Sequence, residues 1–323
     1  MKKLLSIALV AVMLISTFSF ISCDTTKDDG KYTVGIVQLV QHVALDAATQ
    51  GFIDALKAEL GEENVTFLNE NASGEANVCT TIVTNFVSKK VDLIMANATA
   101  ALQAAANGTT TIPVLGTSIT EYGVALGIDN FNGLVGGNIS GTSDLAPLDQ
   151  QAKMIVDLYP EAEKVALLYC KAEPNSKYQV EEIRRQLVSL GIADANIKDY
   201  AFTDSNDVST QAAAAAQYAD VIYVPTDNTA AACAETIGGV IGKTPLIAGE
   251  EGICSGCGVA TLSISYYDLG VATGKMAAKI LKGEANIAEM PIEYAPAAKK
   301  YNATICEELG LSAPSDDYVA IGE

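Results

Sequence analysis

Residues 91–99 read VDLIMANAT and residues 219–227 read ADVIYVPTD. Each is an apolar run that stops in a polar turn and leads into a stretch of helical character rich in alanine. Residues 111–116 (TIPVLG) and 243–248 (KTPLIA) stand in the same relation, and the offset is about 130 residues in both comparisons. A repeat of this kind constrains the fold strongly, because the order of elements repeats with it. Strand-like segments at 32–40, 65–68, 91–96, 113–116 and 124–128 alternate with helix-like segments at 45–56, 78–87, from Thr99 onward, and 149–159. The first of these helices shows its period in Leu45, Ala48, Phe52, Ile53 and Leu56. The pattern then restarts, with strands at 164–169, 198–202, 221–224, 245–248 and 259–264 and helices at 178–190, 208–218, 233–241 and 269–281. Short apolar strands alternating with helices predict an α/β chain of two doubly wound parallel-sheet domains with one topology.

The amino end lies outside that pattern. Met1-Lys2-Lys3 is basic, residues 4–20 are almost all apolar, and Cys23 follows a small residue, Ser22. This is a secretory signal over residues 1–23, and the cysteine resembles the acceptor of a bacterial lipobox. Residues 24–31 are polar and without apolar period, and are expected to be a tether. No later run is long and apolar enough to cross a membrane. About 290 residues remain, more than one core usually serves.

Composition excludes several functions. The net charge is −19 and the pI about 4.4, so a phosphate backbone is repelled and no nucleic-acid partner is expected. Of the seven cysteines, Cys23 is the lipidation candidate, and Cys79, Cys170 and Cys233 sit in apolar contexts as small core residues. Cys254 and Cys257 form the one spaced pair, read as a local disulfide or two free thiols. With a single histidine, His42, and no second such pair, a metal centre is not expected. Residues 238–244 lack the first glycine of a phosphate loop, since position 237 is Ile, and neither a GxSxG elbow nor an HExxH helix is present. No activated nucleophile is visible, so the chain is not expected to be an enzyme and no cofactor is implied.

In open parallel sheets, ligands bind beyond the carboxyl ends of the strands, where helix amino ends present free N–H groups. Asn97, Ala98 and Thr99 fall there in the first half, and Thr226, Asp227, Asn228 and Thr229 at the matched turn in the second. Thr117 and Ser118 follow the next strand of the first half, and residues 249–252, including Glu250, follow the next strand of the second. Each of these side chains also suits simple helix capping.

Several stretches together resemble the substrate-binding lipoproteins of ABC transporters, with the tryptophan/tyrosine-type group the nearest. They are residues 34–52 (VGIVQLVQHVALDAATQGF), 136–144, 224–229, 249–252 and 265–270. The resemblance implies a type I periplasmic-binding-protein fold whose two lobes are joined by a three-segment hinge. Crossings are expected near Pro160, near 262–265 and near 288–291. Lobe one is then 31–161 plus 264–288, and lobe two 162–263 plus 289–323. The resemblance also implies an extracytoplasmic, lipid-anchored monomer that hands a small molecule, most often an aromatic amino acid, to an ABC permease and its ATPase. A nucleoside or sugar ligand, or a surface receptor or adhesin role on the same fold, stays open.

For an amino acid, the α-carboxylate suits the helix amino end at Ala98 and Thr99, with the Thr99 and Ser118 hydroxyls as donors. Asp227 is the first acceptor for the α-ammonium, with Asn228 beside it and Glu250 second. Asp227 is expected to contribute to binding and little to stability. Leu39, Tyr122 and Tyr266 are candidates for the apolar wall, and Gln41 and His42 for the cleft mouth.

Overall fold

The computed structural model describes residues 31–321. The first sheet begins with β1 (Tyr32–Gln38), β2 (Val65–Asn71), β3 (Leu93–Asn97), β4 (Val114–Ile119) and β5 (Ile139–Ser143). Its helices are α1 (Val43–Leu60), α2 (Ala76–Lys89), α3 (Thr99–Gly108) and α4 (Tyr122–Leu126). After α5 (Leu148–Leu158) come β6 (Val165–Cys170), α6 (Pro174–Ser189), β7 (Ile197–Phe202), α7 (Val208–Tyr218) and β8 (Val221–Val224). Then follow α8 (Asn228–Ala232), α9 (Ala234–Ile241), β9 (Leu246–Ala248), α10 (Glu251–Cys257), β10 (Ala260–Ile264) and α11 (Tyr266–Leu281). The chain ends in β11 (Glu293–Tyr294), β12 (Ala297–Tyr301), α12 (Ala303–Leu309) and β13 (Val319–Ala320).

The first sheet runs β11-β5-β4-β3-β1-β2 and the second β13-β12-β10-β9-β8-β6-β7. The five central strands follow one order in both, and all pair in parallel. These are the two doubly wound lobes that the repeat predicts. Among the described residues β12 pairs antiparallel with β10, and β13 runs alongside β12 in parallel.

Each sheet is covered on both faces, as parallel sheets require. In the first lobe, Val34, Ile36, Leu93 and Met95 pack with Phe52 of α1 and Met276 of α11, while Val37, Ile94 and Ala96 face Phe86 of α2 and Leu102 of α3. In the second, Leu168, Ile222 and Val224 meet the helices α7–α10. On its other face Val165, Leu167 and Tyr223 meet α5 and α6. Helices α1 and α11 touch backbone to backbone. A Cβ on Gly270 would lie 2.0 Å from the Ala48 carbonyl oxygen, and one on Gly51 2.1 Å from that of Tyr267. Only glycine permits that approach.

Three expectations need correction. Residues 124–128 are not a strand: Glu121 caps Val124 N at 2.5 Å, and Gly127 ends helix α4 in the left-handed region at φ +66°. The strand beside β4 is instead β5, in the glycine-rich segment 136–144. Its residues Ser140, Gly141 and Thr142 are small because Gly141 lies against the Gly116 backbone, where a Cβ would be 2.1 Å from the carbonyl oxygen. The first crossing lies at 144–147, not near Pro160, because Leu148, Met154 and Ile155 of α5 pack on the second sheet. The second crossing is at Ser265, between β10 and α11. The third lies at 295–296 rather than 288–291, since β11 pairs with β5 and β12 with β10.

Cys254 and Cys257 are free, buried thiols on α10 that donate weakly to the Gly258 and Ile253 carbonyls. Among the described residues no cluster could hold a metal ion, and no helix is long and apolar enough to cross a membrane. Cys23, the signal and most of the tether lie outside the described residues.

Candidate ligand-binding site

The turns after β3 and β4 lie at the carboxyl edge of the first sheet, and those after β8 and β9 at the carboxyl edge of the second. In the first lobe the turn after β3 holds Ala98 at φ +89° and ψ 159°, a conformation that non-glycine residues rarely adopt. Ser118, near the end of β4, sits at φ +55°. The two turns are joined by Ala98 N–H donating to the Thr117 carbonyl at 3.1 Å. Thr99 opens α3, whose amino end carries no side-chain cap although Ala98, Thr99 and Ala101 are buried. Ser118 Oγ is buried without a hydrogen-bond partner.

Other first-lobe candidates serve the frame. The Asn97 amide donates to Leu45 O at 2.9 Å and Thr49 Oγ1 at 3.0 Å, tying β3 to α1. Thr117 Oγ1 lies in a buried hydroxyl trio with Thr142 and Thr273. Tyr122 is core: its hydroxyl donates to Thr142 O at 3.1 Å, in space left by Gly116 and Gly141, and its ring stacks on Phe131. Leu39 is buried after β1, and Gln41 is exposed on the rim.

In the second lobe the carboxylates are committed to backbone. Asp227 accepts from Cys170 N at 2.6 Å and from Ala230 N at 2.8 Å, capping α8. Each oxygen thus carries one backbone hydrogen bond, and the carboxylate serves the frame of the second lobe as a cap. Burial, then the neighbouring Glu173, raise its pKa well above the usual carboxylate range. Glu250 caps α10 through Gly252 N and Ile253 N, and burial lifts it to about 7. Glu173 accepts from Asn228 N, Asn228 Nδ2, Thr229 N and Thr229 Oγ1. The Thr226 hydroxyl donates to Gly249 O at 3.3 Å, and its backbone is held by Gln179.

Two contacts span the lobes or their joints. Tyr266, where α11 begins, donates its hydroxyl to Asp144 Oδ2 at 2.9 Å, on the first crossing. Asp144 is buried and its Oδ1 has no partner. Burial raises its pKa to about 6, offset in part by the Tyr266 and Thr120 hydroxyls. At the other side, His42 Nε2 stands 3.4 Å from Asn228 Oδ1. Sequence reasoning misses Asp144 and Glu173. The one available signal for Asp144 is its place at the close of a polar segment, and none marks Glu173.

Two like parallel-sheet lobes linked by three crossings, with unpartnered polar atoms buried near their strand ends, define a solute-binding protein of the periplasmic type. The chain belongs to the family described as ABC transporter substrate binding protein, which matches residues 33–317. It is 32% identical over 305 residues to a tyrosine-binding protein of Clostridioides difficile, covering 90% of this chain and 87% of that one. Among solved structures it resembles an ABC domain from Streptococcus pneumonia in complex with L-Trp. That match has 30% identity and a TM-score of 0.83, and covers 90% of this chain and all of the other. A ligand-free, open substrate-binding protein with adhesive properties from Clostridium difficile is 33% identical, with coverage of 90% and 99%, yet superimposes at a TM-score of only 0.67. The lobes here are therefore arranged more like the ligand-bound structure than the open one.

Proposed function

We propose that this chain captures one aromatic amino acid between its lobes and delivers it to an ABC permease and its ATPase. In this reading it acts as a monomer outside the cytoplasmic membrane, anchored by lipid on Cys23. One observation carries the ligand class. The cleft offers an uncapped helix end and a free hydroxyl on β3 and β4, and a free carboxylate oxygen just past the neighbouring β5. The carboxylates at the amino ends of α4, α8 and α10 already serve as caps. The α3 amino end and Ser118 Oγ suit a carboxylate, with the Thr99 hydroxyl as a further donor. Asp144 Oδ1 suits an ammonium, in place of Asp227. Tyr266, Thr226 and Glu250 then frame the zwitterion from the hinge and second lobe, Leu39 contributes apolar surface, and Gln41 and Asn228 stand at the rim. The aromatic preference is supported by the names of the tyrosine-binding relative and the L-Trp complex.

The test is a thermal-shift screen of the twenty amino acids, nucleosides and sugars. A ligand at 100 times its Kd stabilises by about 2.7 kcal/mol. Tyrosine or tryptophan is expected to shift the transition, and tyramine and 3-(4-hydroxyphenyl)propionate, which each lack one charge, are not. A shift with a nucleoside or sugar and none with any amino acid sinks the reading. A second role in adhesion is favoured by the adhesive relative alone. Loss of host-cell attachment on gene deletion, with amino-acid uptake intact, would establish that role in place of transport.

A further inference from the structure

His42 is the only histidine, and its hydrogen bonding fixes its tautomer. Asn228 Nδ2 lies 2.8 Å from Glu173 Oε2. The same Oε2 accepts from the Asn228 backbone N–H at 3.0 Å, so it acts as an acceptor there, the Asn228 NH2 group points to it and the amide oxygen points to His42. That oxygen faces Nε2 at 3.4 Å, so Nε2 carries the proton of the neutral ring. Burial pushes the imidazole below its ordinary value of 6.5, against the opposite pull of Asn228, Glu173 and Asp46. Nδ1 is then a bare acceptor, and it is buried with no partner in the chain. It does not cap its own helix, since α1 has no side-chain cap.

Position gives that acceptor a use. His42 follows β1 and Asp144 follows β5, and the sheet order β5-β4-β3-β1 puts three strand spacings between them, about 14 Å. Ser118 and Ala98 lie on the two strands between. An amino acid with its carboxylate at those two turns and its ammonium toward Asp144 directs its side chain toward His42. This rests on the zwitterion reading above.

We propose that His42 Nδ1 is a specificity-determining acceptor, taking a hydrogen bond from a donor at the far end of an aromatic side chain: the phenol O–H of tyrosine or the indole N–H of tryptophan. A buried acceptor that a ligand fails to satisfy penalises that ligand, so phenylalanine is rejected although it fills nearly the same space. Asn228 and Glu173 are positioning residues that hold the ring in the tautomer whose Nδ1 accepts.

The experiment is calorimetry on the full chain with L-tyrosine, O-methyl-L-tyrosine, L-phenylalanine, L-tryptophan and 1-methyl-L-tryptophan. The expected result is binding of tyrosine at least about 100-fold tighter than phenylalanine or the O-methyl analogue. His42→Leu should bring the tyrosine-to-phenylalanine ratio to within about threefold by weakening tyrosine alone. The imidazole 15N spectrum, assigned at once for a single histidine, should show Nδ1 unprotonated and shifting on tyrosine addition. A parent that binds tyrosine and phenylalanine alike, or a His42→Leu variant that weakens every ligand equally, overturns the proposal and leaves the zwitterion reading standing. A parent that binds no amino acid overturns both.

Discussion

Replacing Asp144 with asparagine should make the empty protein more stable and the binding site nearly useless. The carboxyl is buried, and its pKa rises from 3.8 to about 6. A rise of that size corresponds to a cost of about 3 kcal/mol for keeping the group ionised in the fold. The sign follows from linkage. A carboxyl with a raised folded pKa binds its proton more tightly in the native state, so the penalty is absent below 3.8, grows between 3.8 and about 6, and is complete above. At pH 7.5 Asp144→Asn should therefore raise stability by up to about 3 kcal/mol, less what the buried NH2 group loses if it finds no acceptor. The Tyr266 hydroxyl can still donate to the amide oxygen. The gain should shrink as pH falls through 6 and vanish near 4. Binding moves the other way: breaking a buried charge pair costs about 3–5 kcal/mol, at least about 100-fold in Kd. Urea unfolding at pH 7.5 and pH 4 and calorimetry with L-tyrosine read the two effects separately. A variant that binds tyrosine within threefold of the parent rules out Asp144 as the ammonium's partner. One that is less stable than the parent at pH 7.5 rules out the burial penalty.

Three other perturbations probe the same contacts. Tyrosine affinity should fall about tenfold between pH 7 and pH 5, because an ammonium at Asp144 requires the ionised form of a group titrating at about 6; a flat profile in calorimetry counts against that pairing. Asp227→Ala removes the α8 cap and the partner of the Cys170 N–H, yet should weaken tyrosine less than tenfold, which titration calorimetry checks. Gly270→Ala should lower stability by at least about 1–3 kcal/mol by driving α11 off the Ala48 carbonyl, visible as a lower melting temperature.

Asp144 and Asp227 show where sequence reading succeeds and stops. The repeat locates the strand ends of both lobes, and with them the turns at Ala98 and Asp227, because alternation and an offset near 130 residues are properties of the chain itself. Which carboxylate is free is not such a property. Asp227 is occupied by Cys170, a residue 57 positions away, and Asn228 is held by Glu173 from 55 positions away. Those partners meet only after the second sheet forms. The β5 strand is hidden for a related reason: its small residues admit the Tyr122 hydroxyl and α11, and Ile139 is its one large apolar residue. Helix α5 reads as part of the first lobe because Pro160 follows it, whereas packing against Val165 and Leu167 decides its allegiance. Ser118 lies in the turn that the pattern points to, but its left-handed backbone cannot be read from its neighbours.

Helix α11 follows the five central strands of the second sheet in the chain, yet Met276 and Ala277 complete the core beneath β1 and β3. During synthesis the opening strands therefore emerge roughly two hundred residues before the helix that seals them. Contacts of such long separation form slowly. The half made first therefore has no finished shape until the half made last has left the ribosome.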